Sequence, residues 1–492
     1  MLNQRINILL FVLAFTVVLA RTFLFTYAMP AVHILLLAAK FALVPIALIL
    51  ALRTPGKPSV IAIGVLLYGI TILVTDMINH TQVLTFTLLA LDVFIIWALF
   101  RWFSVRQSLF PLKATTLILM AFIAVNFLLV LWRPDGLWQY GTNGKMYYLL
   151  GGNYNNMGKA LLVALVCNMM LLCMLPTATP EQQRSKAWWS IVFVFNILLA
   201  FATVLFVGSK TSLVGLLLLL AFAVLQLLSN TAQPSPTRRP QHAVPNTAQP
   251  SPTRSPQHAV PNTQSPTRRS RPQHVVHKIA LLLFIILYFV FQSWAVFRDM
   301  DNPSPYAEYI VQDVLHKDMT FTLRTHVWHD TKQLIEQRPI IGFGEHDDIW
   351  YHQQLGVLTT HNLVLHILLK GGWVALAAFI LLILLLHLRL LRAYRRGNIS
   401  ALFLLDAVWV YLFMMILETY PFASIAVLFF LADFAAAFPP NTYSPTRRSR
   451  NQHAVTNTQS PTPRSGNQHE VTNTEVHGTP RNIENTLLRA NQ

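Results

Sequence analysis

The sequence predicts an all-α, polytopic membrane protein with about 12 transmembrane helices and one large external helical loop. Hydrophobic residues make up 54% of the 492 residues, and charged residues make up only 12%. Soluble domains carry about 25% charged residues. In addition, twelve apolar stretches are long enough to cross a bilayer core of about 30 Å. Together these observations exclude a soluble enzyme and a disulfide-stabilised scaffold.

Each apolar stretch is predicted to be one membrane helix. Basic residues concentrate in alternate connections, while the connections at 25–30, 76–82 and 417–420 contain no Lys or Arg. The positive-inside rule therefore places both chain termini in the cytoplasm, and only the turn containing Lys210 departs from it. The predicted helices span 6–24, 31–51, 59–75, 83–100, 114–132, 158–175, 188–207, 211–228, 279–296, 363–386, 402–416 and 421–438.

Two low-complexity segments carry most of the net charge of +17. Residues 229–278 hold 7 Lys/Arg and no acidic residue, and residues 441–492 hold 6 Arg and 3 Glu. Both contain repeats of the type SPTRRPQHAVPNTAQP, whose composition cannot bury a core, so we expect cytoplasmic disorder. They indicate a solvated linker or binding to anionic lipid headgroups. No nucleic-acid partner is predicted.

The predicted domain organisation follows from these segments. The order is membrane helices 1–8 (1–228), the linker (229–278), helix 9 (279–296), an external loop (297–362), helices 10–12 (363–438) and a tail (439–492). The first helix is read as a membrane span, because no signal-peptide cleavage pattern precedes Arg21. Cys167 and Cys173 are predicted to be free thiols, because six residues of helix separate them by about 9 Å.

Two charged residues lie deep within predicted membrane helices. Lys40 and Asp92 are each nine residues from the external end of their helix, which places both about 13 Å below the surface. A lone charge at that depth is costly. We therefore expect Lys40 and Asp92 to form a pair.

The external loop 297–362 is predicted to be structured. Thr322–Gln337 shows helical spacing of apolar residues, with Val327, Leu334 and Ile335 among them. Pro339 should end this helix, and the glycines of RPIIGFG should form a turn. Long ordered loops in compact proteins usually carry function.

Several motifs are predicted to lie on the external side. GSKTS (208–212) forms a tight turn, LRTHVW contains Arg324, and RPIIGFG begins with Arg338. In THNLVLHILLKGGWVA (360–375), His361 and Asn362 begin a helix, and Gly372 follows after nine further residues.

These motifs resemble those of the O-antigen ligase and polymerase superfamily, over roughly residues 150–385. Its ligases show His, then Asn, Ser or Gln, nine residues and Gly, followed after two residues by a further Gly. Ala375 departs from the last position, and Lys210 replaces the Arg that is usual in the turn. Within this superfamily, the motifs resemble those of the ligases more than those of the polymerases.

The resemblance implies a glycosyltransferase of the bacterial inner membrane whose active site faces the periplasm. It implies transfer of a polysaccharide from undecaprenyl diphosphate to a lipid A-core sugar hydroxyl, without metal or other cofactor. His361 would be the base, and Arg324 would bind diphosphate oxygens as a bidentate fork. Lys210, Arg338 and Asn362 would bind substrate. The partners would be the lipid-linked donor, the lipid A-core acceptor and the bilayer.

Each motif also has a structural interpretation. His361 and Asn362 could cap a helix, Arg324 could pair with a loop carboxylate, and Lys210 could extend to the membrane surface. The sequence Glu345-His346-Asp347-Asp348 could instead hold a divalent cation.

Three other functions stay open at this point. A polymerase and a protein O-oligosaccharyltransferase would share the donor chemistry and differ in the acceptor. A transporter or flippase would place charged residues along a path, or use broken helices.

Overall fold

Apolar helices that run back and forth form the fold. The structure is a computed structural model, and it describes residues 2–20, 29–134, 137–140, 145–148, 151–152, 156–176, 179–231, 273–297, 309, 324–357, 359–419 and 422–438. Its helices are α1 (Leu2–Ala20), α2 (Pro30–Arg53), α3 (Val60–Asn79), α4 (Val83–Val105), α5 (Phe110–Trp132), α6 (Asn156–Met174), α7 (Pro180–Val207), α8 (Lys210–Thr231), α9 (Gln273–Phe297), α10 (Arg324–Gln337), α11 (Asp348–Leu355), α12 (Leu363–Arg395), α13 (Ile399–Met414) and α14 (Phe422–Ala437).

The prediction of an all-α, multi-pass membrane protein is confirmed, with one small sheet as the exception. Seven helices of the described residues are long and apolar enough to cross a membrane, namely α2, α3, α4, α5, α7, α9 and α12. Five shorter apolar helices lie at the other predicted spans, within α1, α6, α8, α13 and α14. The number of twelve crossings stays a prediction.

Parts of the predicted organisation lie outside the described residues. These are most of the linker, the tail from 439, and residues 298–323 of the external loop except Tyr309. Both ends of the predicted linker are helical, since α8 continues to Thr231 and α9 begins at Gln273. The early start of α9 allows His277 to be buried against Asp406, with 2.8 Å between Nε2 and Oδ2.

A small antiparallel sheet was not predicted. Strand β1 (Trp138–Tyr140) pairs with β2 (Lys145–Tyr148), which pairs with β3 (Gly151–Gly152). Aromatic residues on both sides of Gly-Thr-Asn-Gly are a hairpin signal, and here that local pattern determines the structure.

The centre of the bundle is formed by α13 and by α14. Nearly every residue of α13 is buried, and so are residues 425–432 of α14. These helices are apolar on all sides because they are surrounded by other helices. The helices around them expose apolar side chains such as Leu35, Leu128 and Leu198. The two cysteines are free thiols, as predicted.

Helix α12 is broken at Gly372, which has φ of 60° and ψ of −161°. The RPIIGFG segment (338–344) lies in the break. The amides of Phe343 and Gly344 donate to the carbonyls of Leu369 and Lys370, each at 2.8 Å. The amides of Trp373 and Val374 donate to the carbonyls of Pro339 and Ile340, at 2.9 and 3.2 Å. Backbone groups that the break removes from the helix are therefore bound by this segment.

Close backbone contact in the break requires glycine. A Cβ on Gly372 would overlap the Ile340 carbonyl, and a Cβ on Gly342, at φ +64°, would lie 2.6 Å from the Leu369 oxygen. Gly356 has a similar φ of +66° with no atom in the space of its missing Cβ. Gly356→Ala therefore reports the cost of a side chain at positive φ without a backbone clash.

We predict that Gly372→Ala destabilises the protein much more than Gly356→Ala. Both substitutions place a side chain at positive φ, which costs about 1–2 kcal/mol, but only Gly372→Ala also separates the two backbones. The measurement is the thermal unfolding midpoint of each purified variant in detergent. Equal midpoints for the two variants would contradict the close packing at the break.

The predicted Lys40–Asp92 pair is confirmed. Lys40 Nζ lies 2.9 Å from Asp92 Oδ1, and the Lys40 side chain is fully buried. The ammonium also donates to the Leu88 carbonyl. The pair connects α2 to α4, so each charge is compensated within the bundle.

We predict that Lys40→Ala sharply lowers the yield of folded protein, whereas Lys40→Leu combined with Asp92→Leu restores it. Removing one partner leaves a buried charge, at a cost of about 3–5 kcal/mol, and replacing both partners with apolar residues is often tolerated. The measurement is the monodisperse yield after extraction in detergent, with the exposed Lys57→Ala as the control. A double variant as poor as Lys40→Ala would show that the pair is not the source of the loss.

Candidate functional site

The start of α12 is fixed by Asn362. Its Oδ1 accepts from the amide of Leu365 at 3.1 Å, which caps the helix. Its Nδ2 donates to the carbonyl of Ile416 at 3.0 Å, and the side-chain amide of Gln292 on α9 is also within 3.2 Å. Asn362 is fully buried. These contacts favour the capping interpretation, and they hold α12, α9 and the α13–α14 connection together at one end of the bundle.

His361 precedes this cap in a left-handed backbone conformation, with φ of 52°. Such a conformation costs a residue with a side chain about 1 kcal/mol or more. Its amide donates to the Thr359 hydroxyl at 3.4 Å, and the Thr360 hydroxyl donates to the Asn362 carbonyl at 3.0 Å. The cost is met by a rigid surrounding, as is typical of residues in functional sites.

Glu418 lies between His361 and Arg324. Its Oε1 accepts from Nη2 of Arg324, and its Oε2 lies 3.7 Å from Nδ1 of His361. Glu418 is 9% exposed, and the His361 and Arg324 side chains are each 19% exposed. The three side chains are thus mostly shielded from solvent, and His361 and Arg324 keep partial exposure. The site contains an imidazole, a carboxylate that can orient it, and a guanidinium that can bind an anion.

Arg324 is placed by helix α10. The helix rests on the bundle through Val327, Trp328 and Ile335, all of which are buried, as the predicted apolar face requires. Arg324 is its first residue. Of the five N–H donors of a guanidinium, the described contact with Glu418 uses one, and the others can bind phosphate oxygens.

The structure places Lys210 at the first position of α8, where it is exposed. Two residues later, Ser212 packs against Gly158 of α6, and Gly158 also lies next to Met414 at the end of α13. Lys210 therefore lies at the same end of the bundle as His361. No described contact joins it to the Glu418 cluster.

Arg338 is engaged in the fold. It donates to Oδ1 of Asn79, and its guanidinium carbon lies 5.1 Å from the centroid of the Phe343 ring. Asn79 also donates to the Gly342 carbonyl at 3.2 Å. Arg338 therefore helps to fix the RPIIGFG segment to α3.

The residues of the alternative metal site have other partners. Glu345 pairs with Lys370 at 2.6 Å, and Asp347 caps α11 by accepting from the amide of Trp350 at 2.9 Å. His346 stacks on Trp350 with 4.0 Å between centroids, and burial lowers its pKa. Among the described residues, no three His, Cys, Asp or Glu side chains converge as metal ligands.

Glu418 is the site residue that sequence reasoning missed. It lies 57 positions after His361, in the short connection LETYP after an apolar helix. The one available signal was an acidic residue at the end of a membrane helix on the external side. Only the packing of α13 against the start of α12 shows that it belongs beside His361.

Comparison with known proteins matches part of the chain to one family. No curated protein matches the chain. Residues 195–380 match the family model described as O-Antigen ligase. The matched range contains Lys210, Arg324, Arg338, His361 and Asn362, and it ends before Glu418. This match confirms the resemblance seen in the motifs: residues 195–380 are similar to the O-antigen ligase family.

Proposed function

We propose that the protein transfers a polysaccharide from undecaprenyl diphosphate to a sugar hydroxyl of lipid A-core, at the periplasmic face of the inner membrane. The family match supports an enzyme of the O-antigen ligase or polymerase type. The observation that carries the proposal is the convergence of His361, Glu418 and Arg324 at one end of a membrane bundle. The distribution of basic loops supports a periplasmic location of that end.

His361 acts as the general base in this proposal. Its Nδ1 faces Glu418, so that the carboxylate holds the imidazole with Nε2 directed to the acceptor hydroxyl. The 3.7 Å separation shortens as the site tightens around substrate, a change that is common between free and bound enzymes. Glu418 also stabilises the imidazolium that forms, which is the role of the third group in catalytic triads.

Arg324 binds the departing diphosphate. The pairing with Glu418 positions the guanidinium before the donor arrives, and its remaining donors match two phosphate oxygens. Lys210 contributes a second positive charge at the same end of the bundle. The reaction breaks the bond between the sugar and the diphosphate while the acceptor oxygen attacks, and no described residue needs to become covalently attached.

We predict that His361→Ala lowers the transfer rate about 10²–10⁴-fold while donor binding is retained. Glu418→Gln keeps the shape of the side chain and removes its charge, so it should lower turnover at least about tenfold. The measurement is transfer of lipid-linked polymer to lipid A-core by purified protein in vesicles. The exposed acid Glu336, changed to Gln, is the matched control.

Two outcomes would contradict this assignment. Wild-type turnover in His361→Ala would remove the base from the mechanism. Strong inhibition by EDTA with rescue by Mg²⁺ or Mn²⁺ would favour the alternative site at Glu345, Asp347 and Asp348.

We predict that Arg324→Lys raises the KM for the donor and also lowers turnover, because lysine keeps the charge and loses the bidentate fork. Lys210→Arg should be tolerated, and Lys210→Glu should abolish transfer by repelling diphosphate. Arg338→Lys serves as the comparison, since Arg338 contacts Asn79 and Phe343. A donor KM that rises in Arg338→Lys and not in Arg324→Lys would place the diphosphate at the RPIIGFG segment.

The acceptor is tested separately by lipid analysis of a deletion strain. If the protein is a ligase, its deletion leaves lipid A-core without polymer while carrier-linked polymer accumulates. If it is a polymerase, its deletion leaves lipid A-core that carries a single repeat unit.

A further inference from the structure

An apolar groove lies between α3 and α4, outside the site described above. Its volume is about 380 Å³, within the range of small-molecule pockets. Both helices are among those that can cross a membrane, so the groove faces the lipid region. Its lining includes Ala62, Leu66 and Leu73 of α3, Ala90 and Trp97 of α4, and Phe430 of α14.

One end of this groove is basic. Trp97 lines it, and the guanidinium carbon of Arg101 lies 5.3 Å from the centroid of the Trp97 ring. Arg101 also donates to the carbonyl of Gly56, beside the exposed Lys57 and just before the groove residue Pro58.

The sequence segments around Lys57 and Arg101 contain no acidic residue that could neutralise them. Residues 53–60 and 97–108 contain no Asp or Glu. Asp433, three residues beyond Phe430, is paired with Arg389 at 2.6 Å. The described Gly56 contact uses one of the N–H donors of Arg101, and the others are available to an anion.

We propose that the groove binds an anionic glycerophospholipid, with one acyl chain between α3 and α4 and its phosphate at Arg101 and Lys57. Inside a bilayer the groove must be filled by hydrocarbon, and the basic end selects a headgroup with net negative charge. Basic clusters beside membrane helices on the cytoplasmic side recognise such headgroups. The positive-inside rule predicts that this end is cytoplasmic.

The position of the groove separates it from the donor site. Arg338 contacts Asn79, the last residue of α3, whereas Pro58 and Lys57 precede its first residue. The ends of a 20-residue helix are about 28 Å apart. A lipid whose phosphate lies at Arg101 therefore belongs to the leaflet opposite to His361, and it is not the polysaccharide donor in its reactive position.

The experiment uses the full-length protein in phosphatidylcholine vesicles with phosphatidylglycerol that carries a diazirine on one acyl chain. After illumination, labelled peptides are mapped by mass spectrometry. Labels should concentrate on residues 62–97, and unlabelled phosphatidylglycerol should compete far better than phosphatidylcholine. Arg101→Gln with Lys57→Gln should weaken apparent affinity about 25-fold, from about fivefold for each charge.

A second variant fills the groove without removing charge. Ala90→Trp should abolish labelling of residues 62–97, because Ala90 lines the groove. Leu128→Trp, at a lipid-exposed position of α5, is the control for added bulk. Arg184→Gln with Lys186→Gln, in the first two turns of α7, is the control for lost charge. The thermal unfolding midpoint of each variant shows that it is folded.

Three results would overturn the proposal. The first is labelling spread evenly over all lipid-facing helices, or equal competition by phosphatidylcholine. The second is labelling of residues 62–97 that stays unchanged in two variants, the double variant Arg101→Gln/Lys57→Gln and the single variant Ala90→Trp. The third is stronger competition by a polyprenyl phosphate than by phosphatidylglycerol, which would assign the groove to the donor chain. A loss of transfer activity with normal groove labelling would concern the proposed function alone.

Discussion

The break in α12 is the constraint on which the functional end of the molecule depends. A helix that opens inside a membrane protein exposes backbone groups that lipid cannot satisfy. Here the RPIIGFG segment supplies the missing donors and acceptors in both directions across Gly372. Because the segment occupies the break, residues on either side of it, including α10 and α11, are held against the bundle.

Contacts on both sides of the break fix the neighbouring segments. Asp76 at the end of α3 accepts from the amide of Glu345 at 2.5 Å and from the Thr81 hydroxyl at 3.1 Å. The α3–α4 turn is thereby attached to the segment, and Lys370 joins it through Glu345. Toward the other side, the first turns of α12 lead back to Asn362, whose contacts fix the backbone of His361. The backbone of His361 is therefore held by the contacts of its neighbour Asn362, and the first turns of α12 connect it to the break.

Sequence reasoning recovered the features that depend on local pattern or on depth. The apolar stretches, the face of α10 and the Lys40–Asp92 pair follow from periodicity and from the cost of a charge in a membrane. Gly372 was found as part of a motif, but its left-handed conformation depends on a segment that lies about 30 positions earlier in the chain. Glu418 was missed for the same reason, because its place beside His361 is set by packing between distant helices.

The charges inside the bundle help to distinguish a transport path from a rigid scaffold. A transporter would use buried charges or broken helices to line a path. In the described residues, Lys40–Asp92, His277–Asp406 and Arg389–Asp433 each join two different helices. The break in α12 is filled by backbone of the same chain rather than open to a substrate. Charges that connect helices, together with a break that is occupied, favour a rigid bundle. Such a bundle holds the proposed reactive groups, His361, Glu418 and Arg324, at one end, as the proposed transfer at the membrane surface requires.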